Sequence, residues 1–238
     1  MTTLPVAADE TVHWTLLEAR GVDATAFLQG QLSCDLTDLS DNSPVKGLLL
    51  SPAGDVITSL ECRHHDEGVD LVVRGESASA VLAALRRFLM RTKCTFEQGG
   101  ETAGPYATTG EQVRHGEPGP HEFARGVAAH TFGQAFVDRH VSFTKGCYTG
   151  QELVGRLDAR GGNVPFRLAR VTGDDLERME AVVRSAGPTG ERALQGLTTV
   201  VGSDALSALA LVHRSLLDAR SPAVIDGVAI EILHDVVE

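Results

Sequence analysis

Apolar positions recur along this chain in two rhythms, and each predicts a different kind of element. After Ser77, the run A-S-A-V-L-A-A-L-R-R-F-L-M-R sets Val81, Leu82, Leu85, Phe88 and Leu89 at helical spacing, with arginines on the remaining face. That spacing predicts an amphipathic helix laid on a sheet. Three β-like runs precede it: V-K-G-L-L-L at 45–50, D-V-I-T-S-L-E-C-R at 55–63 and V-D-L-V-V-R at 69–74. Their connectors, S-P-A-G and H-H-D-E-G, are turn chemistry of hairpin length, so an antiparallel meander is expected. Upstream, Asp23 stands ahead of A-T-A-F-L-Q as the cap of a short helix that turns Ala24, Phe27 and Leu28 inward and stops at Gly30. Strands followed by a covering helix are an α+β order, not a βαβ alternation.

Residues 97–121 are rich in Gly, Pro, Glu and Thr and read as a long irregular connection. Past residue 165 the texture changes to short β-like runs, F-R-L-A-R-V, L-T-T-V-V-G, A-L-S-A-L-A-L-V-H-R and V-A-I-E-I-L, which predict a small all-β unit. The glycine pair in Gly161-Gly162-Asn163 marks the boundary, giving a unit at 1–163 and a second at 164–238.

Composition adds limits. At 238 residues, 42% hydrophobic and 22% charged, the chain is a folded globular protein. It has no apolar run of membrane-spanning length, and its N-terminus lacks the basic and apolar regions of a signal peptide, so a cytoplasmic location and no membrane partner are expected. A net charge of −11 repels nucleic acid, while leaving room for a local basic cleft that holds an anionic small molecule. Cys34, Cys62, Cys94 and Cys147 form no C-x-x-C pair, and the adjacent His64 and His65 point to opposite sides of a strand, so neither a disulfide framework nor a metal site is expected.

The stretch K-G-C-Y-T-G-Q-E at 145–152 carries the candidate chemistry. Thr149 and Glu152 fit the S/T-x-x-E capping box, which predicts a helix from Gly150 through Q-E-L-V-G-R-L-D. Cys147 would then lie near the positive end of that helix with Lys145 as a nearby cation, the setting of a reactive thiol or an anion site. The residues alone leave open the plainer alternative of a small apolar side chain in a tight turn, with Gly146 and Gly150 present for backbone angles.

K-G-C-Y-T-G-Q-E resembles the signature of the YgfZ/GcvT-like folate-binding proteins. G-V-D-A-T-A-F-L-Q-G-Q-L-S-C-D-L at 21–36, L-L-L-S-P-A-G-D-V at 48–56 and L-V-G-R-L-D-A-R-G-G at 153–162 resemble further blocks of that family, in the same order. The resemblance implies an N-terminal α+β folate-binding domain, an antiparallel sheet with covering helices, followed by a small C-terminal β-barrel around a central cavity. It implies tetrahydrofolate or a derivative as cofactor. It also implies a role in assembly or repair of iron-sulfur clusters, with client or assembly proteins as partners. Carried over, Cys147 is the essential thiol and Lys145 its cationic neighbour; Tyr148, Gln151, Glu152 and Arg156 belong to the cofactor side, and Gln29 and Asp35 line the cavity.

Two positions depart from the family. Glycine-cleavage T-proteins carry an aspartate pair where this chain reads V-I-T-S-L-E (56–61), so Thr58 and Ser59 leave no carboxylate base for aminomethyl transfer. Ahead of the signature, where the family often has a proline and an acidic residue, A-H-T-F-G-Q-A-F would offer a pterin only the one carbonyl of Gln134. An iron-sulfur accessory factor is therefore the expected activity. A folate-dependent aminomethyltransferase and a non-catalytic binding scaffold are the alternatives.

Overall fold

The computed structural model describes residues 10–37, 39–41, 43–185, 197–202, 206–214 and 223–233. The chain enters through β1 (Trp14–Arg20) and α1 (Ala24–Gln29). The predicted meander follows as β2 (Val45–Leu50), β3 (Val56–His65) and β4 (Gly68–Arg74), covered by α2 (Ala78–Arg86). Along β3 buried and half-buried residues alternate, the signature of a strand with two unlike faces. Leu49, Leu60 and Cys62 pack with Leu28 of α1 and with Val81 and Leu85 of α2, each buried aliphatic contributing about 1.5–3 kcal/mol. Lys46, Ser59 and Glu61 look the other way.

The predicted Asp23 cap does not form: Asp23 uses Oδ2 to accept the Lys93 amide at 2.8 Å instead. Because α2 ends at Arg86, Phe88 falls outside the helix and is exposed, not part of its apolar face.

The irregular connection expected over 97–121 is largely ordered. β5 (Thr95–Thr102) pairs antiparallel with β1 and completes a sheet of order β2-β3-β4-β1-β5. Its Thr, Glu, Gln and Gly residues hid it, because an edge strand with one exposed face needs few apolar residues. α3 (Thr109–Arg114), capped by the Thr108 hydroxyl, and α4 (Pro120–Phe123) follow. α5 (Gln134–His140) and α6 (Gln151–Asp158) then lead through Gly161 and Gly162, both at positive φ, into the second sheet.

That second sheet comprises β6 (Phe166–Gly173), β7 (Thr199–Val201), β8 (Leu206–His213), β9 (Ala223–Ile225) and β10 (Val228–Ile232), in the order β7-β8-β6-β10-β9. It is an open antiparallel sheet among the described residues, not the expected barrel, because β7 and β9 remain its two edges. Nor is this half all β. α7 (Leu176–Ser185) packs Met179, Val182 and Val183 onto β6, β8 and β10; its charged L-E-R-M-E-A-V-V-R sequence masks a narrow apolar stripe. Leu48 and Leu50 of the first sheet share one core with Leu168, Leu209 and Leu211 of the second, with Phe132 and Phe136 between them.

Candidate functional site

Three of the sequence blocks meet in space, and Lys145 joins two of them. Its ammonium donates to the carbonyl oxygens of Gln29 (2.7 Å), Leu32 (2.8 Å) and Cys34 (2.6 Å), and the Tyr148 ring lies 5.3 Å from it. An ammonium has three protons, so all are engaged. Burial lowers its pKa from the ordinary lysine value, opposed by Cys34 and Asp35 nearby. Lys145 is therefore a strap across the loop after α1. Gln29 and Asp35 belong to the same strap. Gln29 accepts the Leu36 amide and donates to Asp35 Oδ1, both at 2.8 Å. The Asp35 carboxyl also takes the amide and hydroxyl of Thr37, which with Gln29 hold it below the usual carboxylate range.

The hairpin block docks on the signature through two glycines. Gly150, at φ +81°, has its Cα side so close to the S-P-A-G turn that a Cβ there would stand 2.6 Å from Ser51 O; a Cβ on Gly54 would stand 2.4 Å from Leu153 Cβ. Only glycine fits either position. α6 begins where predicted, but without the capping box. Thr149 instead donates its hydroxyl to Gln31 Oε1 (3.0 Å) and its amide to Gly30 O (3.1 Å). Gln151 Oε1 accepts the Tyr148 amide at 3.1 Å. Glu152 is almost wholly exposed and faces Arg156 at 4.0 Å.

Lys145, Tyr148, Gln151, Glu152 and Arg156 line one surface groove of about 280 Å³, with Phe143 at its edge. Burial pushes the Tyr148 hydroxyl up to about 12. Cys147 is exposed beside this groove, between two of its lining residues.

A second concavity was not legible in the sequence. A cleft of about 570 Å³ opens between the sheets, with Lys46 from β2, Arg114 from α3, Arg139 from α5 and Arg170 from β6 in its walls. Phe132, Phe136, Leu233 and Tyr106 supply apolar and aromatic surface. The Tyr106 ring has His115 tilted against it at 5.5 Å and the Lys46 ammonium 5.9 Å from its centre. Arg139 pairs with Glu117 and Arg170 with Glu231, each at 2.8 Å. Among the described residues no carboxylate pairs with Lys46 or Arg114, so cations are in excess.

At its inner end the cleft shares Lys46, Tyr106 and Glu117 with a cavity of about 30 Å³, room for one water. Ser59, Glu61 and His140 also face that cavity. His140 Nδ1 lies 2.8 Å from Phe136 O; a carbonyl only accepts, so Nδ1 carries the proton and Nε2 the lone pair. Burial lowers the His140 pKa to about 4, leaving the ring neutral. Burial and the Glu117 carboxylate together raise the Tyr106 hydroxyl far above its ordinary value. A larger concavity of about 1000 Å³ runs past Arg20, His64, Asp66 and Lys93. It is more open, balances its charges and contains no Phe, Tyr or Trp, so it offers less to a specific ligand.

Two readings of departures from the family change here. Thr58 is fully buried on the face away from the cleft, while Glu61 and Glu117 put carboxylates at the inner end. Gln134 bonds Asp138 on the exposed side of α5 (2.8 Å) and does not line the cleft.

No family model matches the chain. The tRNA-modifying protein YgfZ of Vibrio atlanticus is 22% identical over 240 residues, covering 75% of this chain and 74% of that protein. The proteins of the same name from Hamiltonella defensa (22% identical, 63% of this chain, 65% of that one) and Sodalis glossinidius (27% over 92 residues, 39% and 28%) match over less than two thirds of their own length. The aminomethyltransferase T of the glycine cleavage system from Bartonella henselae superposes with a TM-score of 0.59 over 94% of this chain and 83% of that one, at 12% identity. In sequence the chain is similar to the YgfZ proteins, and in fold to the glycine-cleavage T-protein.

In this chain the signature is first an architectural knot. Lys145, Gly150 and Thr149 tie the N-terminal block, the hairpin and α6 together. Cys147 and Glu152 are the members of the octapeptide whose side chains are left in solvent. The cleft residues were missed because they come from separate elements.

Proposed function

We propose that this chain binds a reduced folate in the cleft between its sheets and acts as an accessory factor for assembly or repair of iron-sulfur clusters, with Cys147 as its working thiol. The observation that carries the folate reading is the cleft's chemistry: aromatic walls and excess cations in a protein of net charge −11. Its 570 Å³ falls within the ~300–1,000 Å³ range of small-molecule sites. A folate is a planar ring system ending in carboxylates, and each part has a counterpart. Lys46 and Arg114 are free to take carboxylates, Tyr106 offers aromatic surface, and Glu117 retains acceptor capacity beyond its bonds to Arg139 and Tyr106 for a ring amino group. The bound folate would supply one-carbon chemistry; the residues described bind and orient it.

Support for the thiol's role comes from its position, exposed on a rigid loop where a client protein can reach it. The relatives are named for tRNA modification. With its acidic charge repelling tRNA, this chain would serve such a process through another protein, not by touching the nucleic acid. Complementation tests the thiol: in cells lacking this protein, Cys147→Ser is expected to leave iron-sulfur enzyme activity low, and full rescue would end its assigned role. Aminomethyl transfer is a second reading, favoured by Glu61 and Glu117 at the inner end of the cleft. Product formed from a lipoyl-linked aminomethyl donor and tetrahydrofolate would establish it.

A further inference from the structure

The strap places two buried thiols together that are 28 residues apart in sequence. β2 and β3 pair with Val45 opposite Cys62 and Gly47 opposite Leu60, so positions 45, 47, 60 and 62 share one face. Gly47 leaves a hole on that face, and Cys34 fills it: a Cβ on Gly47 would stand 2.4 Å from Cys34 Sγ. That puts the Cys34 thiol one diagonal step from Cys62 on the same face. The contact with Cys62 and the charge of Lys145 lower the Cys34 pKa, while the same contact and complete burial raise that of Cys62. Lys145, whose ammonium bonds Cys34 O, lies beside Cys34 and favours that sulfur as the nucleophile, with Cys62 as the proton-bearing partner.

From this geometry we infer that Cys34 and Cys62 are a redox-active dithiol, closed to a disulfide by a peroxide and guarded by Lys145. In the first step Cys34 sulfur attacks one peroxide oxygen, the O–O bond breaks, and Cys34 sulfenic acid and water form. In the second, Cys62 sulfur attacks Cys34 sulfur, the S–O bond breaks, and a second water leaves with the Cys62 proton. One hydrogen peroxide is reduced to two waters and two thiols become one disulfide.

Both thiols are sealed from solvent at 2% and 0% exposure, so access is gated. The gate is the 30–36 segment, which carries Cys34 and is held by the bridge Leu32↔Leu49, by Ser33 bonds to Leu48, His140 and Ser142, by Thr149 bonds to Gly30 and Gln31, and by the Lys145 bonds to Leu32 O and Cys34 O. Around Cys34 itself the Lys145 bonds are the tie from outside the segment, so losing them favours local opening there. The dithiol is independent of the folate reading, because Cys34 and Cys62 lie on the face of the sheet opposite Lys46 and Glu61.

Hydrogen peroxide treatment of the folded protein, followed by alkylation and peptide mass mapping, tests this. The expected product is a Cys34–Cys62 disulfide, with a rate raised about tenfold or more in Lys145→Met, as for opening-limited reactions. In Cys62→Ser, Cys34 should instead be trapped as a sulfenic acid by a dimedone probe. Recovery of both Cys34 and Cys62 as free thiols at a dose that fully oxidises the exposed Cys147 would overturn the inference. So would a disulfide joining Cys34 to any other cysteine. If Lys145→Met does not fold, wild type and Cys62→Ser decide the matter alone.

Discussion

Replacing Lys145 by Met removes the strap while keeping most of its length. Three hydrogen bonds from a charged donor are lost, and the carbonyls of Gln29, Leu32 and Cys34 are left facing an apolar chain. A net contribution of ~1 kcal/mol or more per bond, held at the low end because the ammonium is only part-buried, gives about 3 kcal/mol of destabilisation. Lys145→Arg should recover little, since a planar guanidinium fork cannot point at three carbonyls converging on one nitrogen. Urea unfolding followed by circular dichroism reads the change as a shifted midpoint at constant slope. Cys147→Ala is the control; its exposed side chain should stay within ~0.5 kcal/mol of wild type. A loss below ~1 kcal/mol in Lys145→Met, or equal losses in the two variants, would refute the assignment of Lys145 to architecture and return it to the thiol.

Gly150→Ala should cost about 2–4 kcal/mol, because a Cβ would meet Ser51 O at 2.6 Å and Leu50 Cβ at 2.8 Å on a backbone with φ +81°; thermal melting checks it. His140 has a folded pKa of about 4 against about 6.5 unfolded. Its contribution is complete above pH 6.5 and is lost as pH falls toward 4. Wild type should therefore lose about 2–3 kcal/mol more than His140→Gln between pH 7.5 and 4.5, and parallel pH profiles would exclude a buried neutral ring. Folate affinity should fall as ionic strength rises, since the cleft's cations are open to screening; affinity unchanged between about 50 and about 500 mM salt would remove the charge argument.

The meander of β2 to β4 was legible because its apolar runs alternate and its turns carry Pro and Gly. β5 and α7 were not, since their apolar residues are few among Glu, Arg, Thr and Gln. The signature predicted where α6 starts but not how. The pattern T-x-x-E is local, and Thr149 found a better partner in Gln31, which sequence spacing cannot reveal. The same limit explains Lys145: its neighbour in sequence is Cys147, yet its partners are carbonyls more than 100 residues away. Cys34 with Cys62, and the four cations of the cleft, likewise meet only once the sheets are assembled.

The most direct test of the account is a calorimetric titration with tetrahydrofolate of wild type, Cys147→Ala and Arg114→Ala. Wild type and Cys147→Ala should bind alike, with Arg114→Ala weaker by about tenfold or more, the effect of one lost charge-assisted bond to a carboxylate. No binding by wild type, or binding abolished by Cys147→Ala and untouched by Arg114→Ala, would contradict the placement of the ligand in the cleft.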